Sequence, residues 1–155
     1  MDKTNSAQAS AAVKLLTMHV GGQEFCVDIM KVREIRGWTP TTFLPQSPAY
    51  VLGVVNLRGA VIPVIDLAVR LGLSRPEPSA RDAIVVTQIH DQLVGLLVQG
   101  VTDMIEMSSD QVQSTPEAVK AGHAGLVDGL IAIEKRLVAV LSLDKVVPTS
   151  IPMAA

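Results

Sequence analysis

Aliphatic residues along this chain collect in paired runs, and each pair is joined by two residues suited to a tight turn. The clearest pair is Gly53 to Leu67, GVVNLRGAVIPVIDL, which reads as two strands around the charged turn Arg58-Gly59. Shifting the sequence by 76 positions lays Gly129 to Leu143, GLIAIEKRLVAVLSL, on top of it. Val54, Val55, Leu57, Val61, Ile62, Val64, Ile65 and Leu67 then fall on Leu130, Ile131, Ile133, Leu137, Val138, Val140, Leu141 and Leu143. Two similar β units in one small protein suit the joining of partners better than the housing of one catalytic pocket.

A second pair of hairpins precedes these two. LLTMHV and QEFCVDI flank Gly21-Gly22, whose residues supply the positive φ that a two-residue turn demands, and AIVVTQI and QLVGLLV flank His90-Asp91 about 70 residues later. Val32-Arg33-Glu34-Ile35 has an echo in Val101-Thr102-Asp103-Met104. The elements of residues 15–72 are therefore expected to repeat in residues 83–147, with an insertion between the repeats. Residues 1–13 and 148–155 read as tails, and order is expected to begin near Lys14.

The remaining signals are short. Prolines at 40, 45, 48, 76 and 78 break the chain between strands. Asp66 can cap LAVRLG, Ser108 with Gln111 has capping-box spacing, and PEAVKAG from Pro116 gives barely two turns. The run AVIPVI is apolar throughout, which predicts a strand covered on both faces. Pro63 within it has no amide donor and predicts an edge or a bulge, making this strand a docking candidate.

Composition narrows the function. A hydrophobic fraction of 48% with 18% charged residues marks an aliphatic globular protein. A net charge of −2, one Trp, one Tyr and two Phe provide neither a basic field nor a stacking ladder, so nucleic acid is not an expected partner. Cys26 is the single cysteine and reads as a buried small hydrophobe in a reducing cytoplasm. No signal peptide or membrane span is legible, so any membrane association is expected to run through a partner.

Chemistry is scarce. His19, His90 and His123 are scattered, with no metal-ligand spacing and no nucleotide or nucleophile motif, so neither a metal nor a cofactor nor catalysis is expected. Asp66 follows a strand, as a phosphoacceptor would in a receiver domain, but the acidic pair and regular βα alternation of a receiver are missing. A helix cap is the simpler reading. Glu34 and Arg58 stand in aliphatic surroundings and can pair; alternatively Arg58 is a solvated turn residue and Glu34 pairs with Arg33 or Arg36. Deep burial of the pair would make loss of one partner cost about 3 to 5 kcal/mol.

GQEFCVDIMKVREIRG at 22–37, GVVNLRGAVIPVIDL, LVGLLVQGVTDM at 93–104 and GLIAIEKRLVAVLSLDKVV, in this order, resemble the CheW-type coupling proteins of bacterial chemotaxis. The resemblance covers roughly Leu15 to Val147. It implies an all-β fold of two intertwined five-stranded SH3-like barrels with a few short helices. It also implies a cytoplasmic, non-enzymatic adaptor between chemoreceptor tips and the regulatory domain of the histidine kinase CheA. Receptor binding in the family uses the groove between barrels, and the matching positions are Val32, Glu34, Gly53, Arg58, Ala83, Val101 and Met104. Kinase binding uses a barrel end whose residues the match does not assign. The short ending TSIPMAA disfavours a coupler fused to a receiver. A paralogous pathway such as surface motility, or a stand-alone small-molecule sensor, is the other use of such a fold.

Overall fold

Four two-residue turns with left-handed backbone at both positions set the hairpins. They are Gly21-Gly22 (φ 58° and 85°), Arg58-Gly59 (54° and 86°), His90-Asp91 (54° and 61°) and Glu134-Lys135 (48° and 72°). Such turns match the right-handed twist of the strands they join. Each lies where the sequence predicts it, in a computed structural model that describes residues 12–74, 77–114 and 125–148.

The strands are β1 (Ala12–Val20), β2 (Gln23–Asp28), β3 (Val32–Gly37), β4 (Val51–Leu57), β5 (Ala60–Asp66), β6 (Ala83–Ile89), β7 (Gln92–Val98), β8 (Gly100–Ser108), β9 (Gln113–Ser114), β10 (Val127–Ile133) and β11 (Arg136–Leu141). Two one-turn helices follow the late hairpins, α1 (Leu67–Arg70) and α2 (Leu143–Val146). The Asp66 side chain accepts from the Val69 amide, as a cap should. Ser108 and Gln111 form a capping box on a single 3-10 turn. The helix expected from Pro116 lies outside the described residues, as do most of the expected tails. β1 begins at Ala12, two residues before the expected start at Lys14, because Ala12 and Val13 find partners in Ser108 and Met107 of the long β8.

The strands form two sheets, ordered β8-β1-β2-β11-β10-β9 and β3-β6-β7-β5-β4. Set aside the two-residue β9 and they are the two five-stranded, SH3-like units expected. They are also intertwined. Hairpin β1–β2 of the first half joins β11 of the second through Phe25–Ala139 and Cys26–Val140, while β6–β7 of the second half joins β5 of the first from Val64–Gly95 to Asp66–Leu97. Both joins are parallel and occupy equivalent places in the repeat.

Burial follows from this exchange. One core is shared between sheets, with Leu16, Met18 and Phe25 facing Ile65, Val85 and Leu96, and α1 and α2 adding Leu67 and Val146. Each sheet has a further core on its other face, around Ile62, Val64 and Val86 in one and Leu15, Cys26 and Val138 in the other. Ile62 to Ile65 of the apolar run are therefore buried on both faces, as expected, but Val61 is 65% exposed beside the turn. Of the edge or bulge expected from Pro63, the edge is corrected, since β5 lies between β7 and β4, and the one register slip of this hairpin falls on β4 between Val51 and Gly53. Proline is tolerated because Val54, opposite it, makes its two backbone bonds to Thr42, and pairing with β7 starts only at Val64.

Candidate protein-binding site around Glu34 and Arg58

β3 pairs on one side only, with β6, and its residues alternate between half-buried Val32, Glu34 and Arg36 and exposed Arg33, Ile35 and Gly37. The register slips between Val32 and Glu34, a bulge that leaves Arg33 without an opposite residue. Arg33 donates to the Gln88 side chain of β6. Arg58 stands at the β4–β5 turn, which Asn56 fastens by accepting from the Gly59 amide at 3.1 Å.

The structure brings Glu34 and Arg58 together. Arg58 Nη1 is 3.2 Å from Glu34 Oε2, and Arg36 Nη1 is 3.3 Å from Glu34 Oε1. Both alternatives from the sequence hold at once: Arg58 is a turn residue with a side chain 78% exposed, and it pairs with a carboxylate that Arg36 shares. Burial of the pair is shallow, because a hairpin tip keeps its guanidinium in water. An ion pair this exposed contributes about 0 to 1 kcal/mol to folding, so its value lies in the shape and charge it presents.

The other expected positions divide by exposure. Met104 on edge strand β8 is 56% exposed, and Val32 and Val101 are half-buried against the shared core. Gly53 and Ala83 are buried. Gly53 has φ 148°, and a Cβ there would stand 2.2 Å from the Thr42 carbonyl oxygen. Its twin Gly129 meets the Gln113 carbonyl at 2.4 Å in the same way. These two glycines let a flanking segment lie against β4 or β10, and Gly53 acts through the backbone it supports. Val101 borders a depression with His19, Arg81 and Thr102.

Between Arg33 and Arg58 opens a groove of about 420 Å³, floored by Leu57, Ile62, Val86 and Leu93. Sequence reasoning missed this floor. Its only signal was the inward face of the β4–β5 and β6–β7 hairpins, which reads as ordinary core.

Elsewhere the chemistry is structural. Asp66 is fully buried at the start of α1, the position of a cap and not of a solvent-facing phosphoacceptor. Burial, with Glu24 nearby, pushes the Cys26 thiol up to about 12. His90 Nε2 lies 2.9 Å from the Asp144 carbonyl and 3.1 Å from that of Val147. Among the described residues no three His, Cys, Asp or Glu side chains are grouped to hold a metal ion, and no helix is long and apolar enough to cross a membrane.

The family model "CheW-like domain" matches residues 14–150. "Chemotaxis protein CheW" of Rhizobium meliloti (strain 1021) is 46% identical over 94% of this chain and 96% of its own length. "Probable chemotaxis protein CheW" of Rhizobium etli is 49% identical over 84% of both chains. Among solved structures, the "scaffolding protein TtCheW from Thermoanaerobacter tengcongensis" superposes with a TM-score of 0.81, at 26% identity, over 90% of this chain and 91% of that one. With its duplicated, hairpin-exchanging sheets and near full-length relatives, this chain belongs to the CheW-like domain family.

Proposed function

We propose that this protein is a non-enzymatic coupling adaptor of bacterial chemotaxis, holding the cytoplasmic tips of chemoreceptors against the regulatory domain of CheA. The observation that carries the reading is the match, over nearly the whole chain, to relatives named chemotaxis proteins and to a structure described as a scaffolding protein. Two similar units in one chain offer two surfaces, which is what a bridge requires. The protein works in the cytoplasm and reaches receptor arrays through its partners. It takes no cofactor and binds no nucleic acid.

The receptor surface is built on Glu34 and Arg58, with Met104 as an exposed contact, Val32 and Val101 as half-buried walls, and Gly53 and Ala83 as backbone supports. Coupling is conformational: a receptor that binds two states of the assembly unequally shifts the kinase by that difference, and about 1 to 3 kcal/mol suffices. The test is binding of the full chain to a purified CheA regulatory domain and to a soluble receptor-tip fragment. Wild type binds both, and Arg58→Ala and Glu34→Ala lower receptor-coupled kinase activity. A well-folded chain that binds neither partner overturns the reading.

A further inference from the structure

The internal repeat lets one end of the first sheet be compared with its counterpart in the second. At that end a cavity of about 240 Å³ has an aliphatic lining of Val13, Leu15, Val112 and Val140. Asp28, Asp128 and Asp144 also line it, against one ammonium group, that of Lys31. Lys31 Nζ stands 3.6 Å from Asp144, and Asp28 accepts from the Met30 amide at 2.9 Å through one oxygen. The Asp128 side chain forms no ion pair or hydrogen bond among the described residues.

Strand register identifies the counterparts. Asp28 stands opposite Leu15 as Leu97 stands opposite Ile84, and Asp128 occupies the bulge of β10 that Leu52 occupies in β4. The fold therefore accepts leucine at both places. The counterpart cavity, about 230 Å³, is lined by those leucines, and its carboxylates are engaged by backbone: Asp66 accepts from the Val69 amide at 3.4 Å and Asp82 from the Ser79 amide at 3.2 Å.

Ser142 is an independent sign. It is the counterpart of Asp66, each standing before a one-turn helix, yet its hydroxyl does not cap α2. The residue is 8% exposed and lines the cavity, and its hydroxyl has no hydrogen-bond partner among the described residues. A buried hydroxyl in that state favours a ligand that bonds to it. The surplus of carboxylates calls for that ligand to be a cation. A metal ion does not fit, because among the described residues no three His, Cys, Asp or Glu side chains are grouped to hold one. An organic ammonium fits, with N–H donors for the oxygens of Asp28, Asp128 and Ser142 and a short hydrocarbon for the aliphatic wall.

We propose that this cavity, with the Asp28 and Asp128 carboxylates and the Ser142 hydroxyl in its lining, binds a small alkylammonium compound. Its volume admits a body of only a few carbons, so the ligand is a free amine. The site does not depend on the adaptor reading.

The test titrates n-butylammonium into the nitrogen-15-labelled full chain and follows amide shifts by NMR, with n-pentanol as a neutral compound of the same size. The expected result is saturable binding with a dissociation constant on the order of millimolar, shifts centred on Val13, Val112, Asp128 and Ser142, and n-pentanol weaker by about fivefold or more. Asp128→Asn, which keeps the shape and removes the charge, and Ser142→Ala are each expected to weaken n-butylammonium by about threefold to tenfold. Asp128→Leu, which gives the bulge the residue of its counterpart, should erase the preference for amine over alcohol. Scattered, unsaturable shifts in the folded wild type overturn the proposal, as does equal affinity for n-pentanol. Undiminished affinity in folded Asp128→Asn and Ser142→Ala overturns it too. The chain is tested alone, so each of these results leaves the adaptor reading as it stands.

Discussion

Gly53 shows how a position can shape the surface without offering a side chain. Its Cβ would lie 2.2 Å from a carbonyl oxygen and its φ is 148°, so Gly53→Ala has to displace Thr42 or twist β4. A loss of about 2 kcal/mol or more in denaturant unfolding is expected, and Gly129→Ala should lose a similar amount because its twin contact is as close. Arg58→Ala should behave in the opposite manner. Its side chain is 78% exposed, so stability should stay within about 1 kcal/mol while receptor binding falls. Cys26 supplies a pH test. The unfolded thiol ionises from about 9.0, whereas burial holds the folded thiol protonated to about 12. Unfolding then releases a proton between these values, so stability is untouched below pH 9.0 and declines above it by up to about 1.4 kcal/mol per pH unit. Cys26→Val should lack that decline in stability curves measured across this range.

At the scale of elements, the helical turn α2 and the residues just after it are held by side chains from elsewhere in the fold. Arg70 of α1 donates to the carbonyls of Val146 at 2.7 Å and Lys145 at 3.0 Å, His90 reaches those of Asp144 and Val147, and Gln92 donates to that of Pro148 at 2.9 Å. Carbonyls at a helix end need partners, and here three side chains supply them. Arg70→Ala removes two charge-assisted bonds and the stacking of its guanidinium over Tyr50, 4.9 Å from the ring centre. A loss of about 1 to 3 kcal/mol in thermal or denaturant unfolding is expected. None of this was legible in the sequence, since Arg70 lies far along the chain from Val146 and local pattern carries no sign of the contact. The hairpins were legible, because alternation and turn residues act within a few positions. The bulges at Arg33 and Leu52 were not: they follow from the register against a partner strand. For the same reason the sequence around Pro63 suggests an edge or a bulge, when the residue sits in a central strand at a point where no ladder bond is required of it and the bulge of that hairpin falls on β4. The Glu34–Arg58 pair was half legible, as residue types and surroundings suggested it and only the fold set its exposure.

At the scale of the whole molecule, the exchange of hairpins has a consequence for folding. Each sheet takes strands from both halves: β3, β5 and β4 of one sheet come from the first half and β6 and β7 from the second, with the reverse arrangement in the other sheet. A fragment ending at Ser74 would contain β1 and β2 without β11, and β5 without β7. Both parallel joins would be missing, and Ile65, Leu16 and Phe25 would face water in place of Val85 and Leu96. Exposure of that much aliphatic surface exceeds what a half-length chain can offset, because small domains already bury proportionately less. Residues 12–74 and 77–148 expressed separately should therefore be unfolded or aggregated by circular dichroism and light scattering. Mixed at equal concentration, they should form a soluble one-to-one complex with native β signal, since every missing ladder partner is present on the other fragment. A first half that melts cooperatively by itself would mean that the sheets, though exchanged in the intact chain, can close without one another. The two surfaces would then be mechanically separable. If the halves depend on each other as the topology requires, strain at one surface reaches the other through the shared core of Met18, Phe25, Ile65 and Leu96, which is the physical condition for a bridge that transmits as well as joins.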